Sequence, residues 1–138
     1  MQWGHIGWSI PAAFGYTLAK PKRRVIIVVG DGAFQMTAQE VSQMVRWRVP
    51  IIILLMNNKG YTIEVEIHNG LYNRIQNWKY TSLVQAFNGE EGGGHTLSFE
   101  VSTVYYFIEA LDKDDYSRDL ITWGHFVAAA NGRPPEKD

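Results

Sequence analysis

The sequence predicts an α/β domain, a mainly parallel sheet flanked by helices, and three observations carry that prediction. Two apolar runs, Val25–Val29 and Ile51–Met56, show no polar alternation, which is how strands buried on both faces read. Between them Val41, Met44 and Val45 recur at helical spacing. The whole unit, residues 25–56, has the size of a strand–helix–strand crossover joining parallel neighbours.

The remaining elements follow in chain order. Ser9 to Lys20 permits a helix, because its apolar residues recur and Pro11 falls in the first turn, where its missing N–H costs nothing. Residues 21–24 are a polar connector, and the first strand stops at Gly30-Asp31-Gly32. Thr37 and Glu40 have the spacing of a capping box, which starts the crossover helix at Thr37. Pro50 ends that helix, and the second strand stops at Asn57-Asn58-Lys59-Gly60. Tyr61–His68 and Tyr80–Phe87 are expected as short helices, and Gly89–Gly94 as a flexible turn. Ser98–Ile108, rich in Val, Thr, Tyr and Phe, is expected as a strand. Asp115–Asn131 is expected as a helix, closed by Gly132 and Pro134-Pro135.

Composition bounds the function. A chain of 138 residues suits one domain. Thirteen basic against fourteen acidic residues leave no electrostatic footprint for nucleic acid or an anionic membrane. There is no cysteine, hence no disulfide framework or thiolate metal site. No apolar run is long enough to span a bilayer. A cytoplasmic domain is expected. The start, Met1 to Trp8, is aromatic and glycine-rich, as in a segment covered by something else, and suggests a piece of a larger chain.

In a parallel sheet, ligands bind outside the carboxyl ends of the strands. Two neighbouring strands deliver Asp31 between glycines, and Asn57 and Asn58 followed by Gly60, to that edge. A carboxylate, a carboxamide oxygen and glycine-freed carbonyls are an all-oxygen donor set suited to Mg²⁺ completed by phosphate. A helix starting just after the first loop favours an anion. The reading is a Mg²⁺–diphosphate site, although Gly-Asp-Gly and Asn-Asn are also ordinary turn pairs. A dinucleotide fingerprint fails at Gln35, which stands where its third glycine belongs; no P-loop is present, and the four histidines share no ligand spacing.

Gly30-Asp31-Gly32, 24 intervening residues and Asn57-Asn58 form a pattern that resembles the signature of thiamine diphosphate enzymes. Residues 1–16, 30–46 and 57–89 look like the C-terminal, diphosphate-binding domain of the pyruvate decarboxylases, and 123–135 resembles that domain's end. The resemblance implies one domain over 1–138, in the thiamine diphosphate-binding fold, with pyrimidine-binding and middle domains absent. It implies thiamine diphosphate and Mg²⁺ as cofactors and Asp31, Asn58 and the Gly60 carbonyl as metal ligands. Gly32, Ala33, Thr62 and Ile63 would hold the diphosphate, although Ala33 departs from the family's usual serine. The Gly4 carbonyl would accept from the cofactor's 4′-amino group, Ile6 would be the wedge that bends it, and Glu64 would be the catalytic acid.

The activity so implied is a carboxy-lyase converting pyruvate to acetaldehyde and CO₂, in a homo-oligomer (dimer or tetramer) whose sites lie between chains. Two alternatives stand beside it: a cofactor-binding module or inactive remnant needing a partner chain, and a decarboxylase of another 2-oxo acid such as indolepyruvate. The stretch between Gly89 and Tyr106 is shorter than the family's, which predicts an incomplete sheet cover and bare apolar surface.

Overall fold

The computed structural model describes residues 4–88, 96–112 and 125–131. Helix α1 (Ser9–Ala19) leads into strand β1 (Val25–Gly30), then helices α2 (Asp31–Thr37) and α3 (Gln39–Arg46) and strand β2 (Ile51–Asn57). Helix α4 (Thr62–Ile67), a 3₁₀ turn at Leu71–Asn73 and helix α5 (Tyr80–Asn88) follow, then strand β3 (Thr96–Glu100), helix α6 (Val104–Asp112) and strand β4 (His125–Asn131). The four strands form one sheet in the order β1-β2-β4-β3. Every pairing is parallel, with Val25 opposite Ile51 and Ile52 opposite Phe126.

The β-branched runs build β1 and β2 as expected, and the core lies on one face of them. Ile27 and Val29 of β1 and Ile51, Ile53 and Leu55 of β2 pack under Ile10, Phe34, Val41, Met44, Tyr80 and Val84 from the helices. Phe34 meets Tyr80 edge-on at 5.7 Å between ring centres, a geometry the ring quadrupoles favour. The opposite face carries a smaller cluster, Val101 and Ala110 with Ile52, Leu54, Phe99 and Phe107. Strand β1 departs from the expectation of two buried faces: Ile26 is 56% and Val28 65% exposed. Among the described residues, no strand pairs with its outer edge.

Three further expectations are corrected. His125–Asn131, read as the end of a helix, is strand β4, paired on both sides by β2 and β3. Ladder hydrogen bonds from two flanking strands outweigh the helical preference of its alanines; residues 115–124 of that expected helix lie outside the described ones. The strand expected over Ser98–Ile108 ends at Glu100, and its second half is α6. Thr103 starts that helix: its hydroxyl accepts the Tyr106 amide at 3.3 Å, as an N-cap does. The capping box of Thr37 and Glu40 is absent. Helix α2 already begins at Asp31, and the Thr37 hydroxyl donates instead to the Gly7 carbonyl at 2.8 Å. The turn expected at Gly89–Gly94 lies outside the described residues.

Candidate functional site

Strand β1 runs into α2 without a loop, so Asp31 opens the helix at the carboxyl edge of the sheet, 1% exposed. Gly30 pairs with Met56, and Asn57 and Asn58 therefore leave the same edge beside it. Asp31 ties the two crossings together. Its Oδ1 accepts the Gly32 amide at 2.8 Å and its Oδ2 the Gly60 amide at 3.1 Å. Lys59 at φ +66° and Gly60 at φ +156° make the turn that brings this amide back. A β-carbon on Gly32 would meet the Tyr61 ring at 2.5 Å, so only glycine fits under that ring.

The Asn58 side-chain amide meets two oxygens here. Asn58 Oδ1 lies 2.9 Å from Asp31 Oδ1 and 2.8 Å from the Gly60 carbonyl, while its Nδ2 donates to Thr62 Oγ1 at 2.8 Å. Turning the amide over would replace that repulsion by hydrogen bonds; a divalent cation among the three oxygens relieves it without any turn. The spacing matches the edge of an octahedron, about 2.9 Å, for Mg²⁺–oxygen distances of about 2.0–2.1 Å. Burial pushes the Asp31 carboxyl above its ordinary value, against the pull of the Gly32, Lys59 and Gly60 amides. Its described hydrogen bonds thus come from neutral donors, and a cation would favour the ionised form.

Beside this cluster opens a cavity of about 370 Å³, lined by Ile6, Met36, Tyr61, Glu64, Tyr72 and Asn73. It brings Ile6 and Glu64, which are 58 positions apart in sequence, into one lining. Ile6 arrives there because Gly7, at φ +89°, lets the chain lie against α2: a β-carbon on Gly7 would sit 2.8 Å from Met36 Cβ. Gly4 is exposed, also at positive φ, with open space around it. Ala33 is half-buried against the core. The Gly32 N–H is turned onto Asp31 and the Thr62 hydroxyl onto Asn58, whereas Ile63 is 70% exposed.

Several residues that organise the site carried no signal in the sequence. Asn57, read as half of a donor pair, is a staple: its Nδ2 donates to Asn77 Oδ1 at 2.9 Å. Gln35 Nε2 donates to the Gln76 carbonyl at 2.6 Å and to Tyr80 Oη at 2.8 Å, joining α2 to the segment before α5. Asn73, buried, accepts the Tyr61 amide through its carbonyl and donates to the His68 carbonyl through its side chain. Amides spread over twenty residues have no spacing signature. Among the described residues, no cluster of three or more His, Asp or Glu residues could hold a metal, and no helix is long and apolar enough to cross a membrane.

Residues 1–100 match the family described as "Thiamine pyrophosphate enzyme, C-terminal TPP binding domain". The chain is 57% identical to a pyruvate decarboxylase of Neurospora crassa, over 98% of its own length and 26% of that protein's. It is 54% identical to a probable pyruvate decarboxylase of Schizosaccharomyces pombe, over its whole length and 27% of the relative's. The chain thus spans about a quarter of the curated relatives it matches. The Neurospora alignment runs over 152 positions against 138 residues here, so that relative carries residues inside the aligned region that this chain lacks. A solved structure, the thiamine diphosphate-dependent 4-hydroxybenzoylformate decarboxylase of Rhodococcus jostii, superposes with a TM-score of 0.72 over 96% of this chain and 24% of that one, at 18% identity. That likeness shows the fold.

Proposed function

The chain belongs to the thiamine pyrophosphate enzyme family through its C-terminal, TPP-binding domain, and on that premise we propose that it supplies the diphosphate and metal half of a pyruvate decarboxylase site. The observation that carries the reading is the approach of the Asn58 side-chain amide to both Asp31 Oδ1, at 2.9 Å, and the Gly60 carbonyl, at 2.8 Å. These three would hold Mg²⁺, and Gly32, Ala33, Thr62 and Ile63 would surround the diphosphate bound to it. The Gly4 carbonyl would receive the cofactor's amino group, and Ile6 would press on the cofactor from the cavity wall.

Thiamine diphosphate, when bound, supplies the electron sink that lets CO₂ leave a 2-oxo acid. The chain's own task is then to anchor, orient and move protons. Glu64, which lines the cavity with Ile6, would hold on a carboxyl oxygen the proton that aldehyde release requires. The relatives' length, about four times that of this chain, supports a site completed by a further, pyrimidine-binding part.

Calorimetric titration of thiamine diphosphate with and without Mg²⁺ tests the reading. Saturable binding that requires Mg²⁺ is expected; binding indifferent to Mg²⁺ would remove the metal site. Glu64→Gln should keep that binding and, in the enzyme completed by its pyrimidine-binding part, abolish turnover of pyruvate to acetaldehyde. Full turnover in this variant would take the acid role from Glu64.

A further inference from the structure

The helix that carries Glu64 has little of its own to hold it. Helix α4 is six residues long, buries none of its side chains and has no side-chain cap. Helices this short are not stable alone in water, so its order comes from its surroundings. One residue grips it at both ends. The carbonyl of Asn73 accepts the Tyr61 amide at 2.9 Å, immediately before the first turn. The Asn73 side-chain Nδ2 donates to the His68 carbonyl at 2.8 Å, immediately after the last.

Asn73 is itself well fixed. It is 1% exposed, its amide donates to the Gly70 carbonyl at 3.0 Å, and the next residue, Arg74, forms a bridge with Gly60. It also lines the cavity into which Ile6 and Glu64 are brought. A buried, anchored amide that fastens both flanks of a six-residue helix fixes where the helix points. We propose that Asn73 is the positioning residue for Glu64, clamping α4 so that its carboxyl meets the cavity; the proposal rests on the reading of Glu64 given above. The clamp has a main-chain half that any residue keeps and a side-chain half that only a donor of this shape supplies.

The test is hydrogen exchange on the full chain with Mg²⁺ and thiamine diphosphate, beside kcat and KM for pyruvate in the enzyme completed by its pyrimidine-binding part. In Asn73→Ala, amides of residues 62–68 should exchange about tenfold faster, the loss of one buried hydrogen bond felt locally. Amides of β1 and β2 and the cofactor Kd should not change, and kcat should fall at constant KM. Asn73→Asp keeps the shape but offers the His68 carbonyl no donor when ionised, so it should behave like the alanine variant, and it serves also if alanine prevents folding. Unchanged exchange in 62–68, an equal rise throughout the chain, or full protection in Asn73→Asp would each overturn the clamp. A Glu64→Gln chain with normal turnover would sink the acid reading alone, since the exchange comparison judges the clamp independently.

Discussion

The ring of Tyr61 lies over Gly32 so closely that a β-carbon there would stand 2.5 Å from Cε1 and 2.9 Å from Cδ1. Gly32 sits between Asp31 and the body of α2, and Tyr61 between Gly60 and α4, so this contact joins the two halves of the site. Gly32→Ala must displace the ring and, with it, the turn whose amide reaches Asp31. We expect a loss of about 1–3 kcal/mol, the usual cost of overpacking, read from urea denaturation, together with weaker cofactor binding. A variant as stable as the parent would mean that Tyr61 swings aside freely.

Metal and cofactor should stabilise the fold through Asp31. At a ligand concentration of about 100 Kd, linkage adds about 2.7 kcal/mol, which a thermal melt resolves. Mg²⁺ with thiamine diphosphate should raise the Tm of the parent chain and leave Asp31→Ala unmoved. An equal rise in both would place the ligand elsewhere.

Tyr80 predicts a response to alkali. Burial holds its phenol above the ordinary 10.0, with the Gln35 bond opposing and the nearby Asp31 charge reinforcing the rise. A raised value in the fold means that Tyr80's contribution is complete below pH 10.0 and is lost as pH climbs towards the folded value, because the unfolded chain ionises first. Tyr80→Phe loses about 1 kcal/mol at neutral pH with the Gln35 bond. Its urea midpoint should then fall less steeply than the parent's above pH 10.0. Parallel curves would contradict this.

Arg48 ends α3 in the left-handed region, at φ +50°, where Val49 donates back to the Met44 carbonyl at 3.1 Å. Glycine is the common residue at this position because it has no β-carbon to clash. Arg48→Gly should stabilise the chain by up to about 1 kcal/mol, the relief of strain being offset in part by a more flexible unfolded state. Chemical denaturation of the two chains decides it.

What the sequence announced and what it hid divide along a physical line. Val25–Val29 and Ile51–Met56 were legible because an unbroken apolar run rich in β-branched residues has few structural uses. Gly-Asp-Gly and Asn-Asn, ordinary turn pairs alone, gained meaning only from standing at the ends of those strands. The strand at His125–Asn131 was hidden, since a pairing with two distant strands leaves no local trace in an alanine-rich segment. Likewise, Thr37 reads as a cap when only its neighbours are considered, but its hydroxyl is used by Gly7, thirty residues away. Asn57, Asn73 and Asn77 act through amide pairings between turns, and no spacing rule encodes those. Ile6 and Glu64 were placed by resemblance, and only the fold puts both in the lining of one cavity.

The bare side of β1 has a consequence for how the chain ages in solution. A six-residue strand of valine, isoleucine and glycine, with no charge or proline in it and two apolar side chains facing water, is a template on which another chain can lay itself. Loss of dispersed material should therefore grow faster than in proportion to concentration, the mark of a process that begins with an encounter of two molecules. A lysine in place of Ile26, at the end of the strand away from the cofactor edge, should slow that process and leave that edge undisturbed.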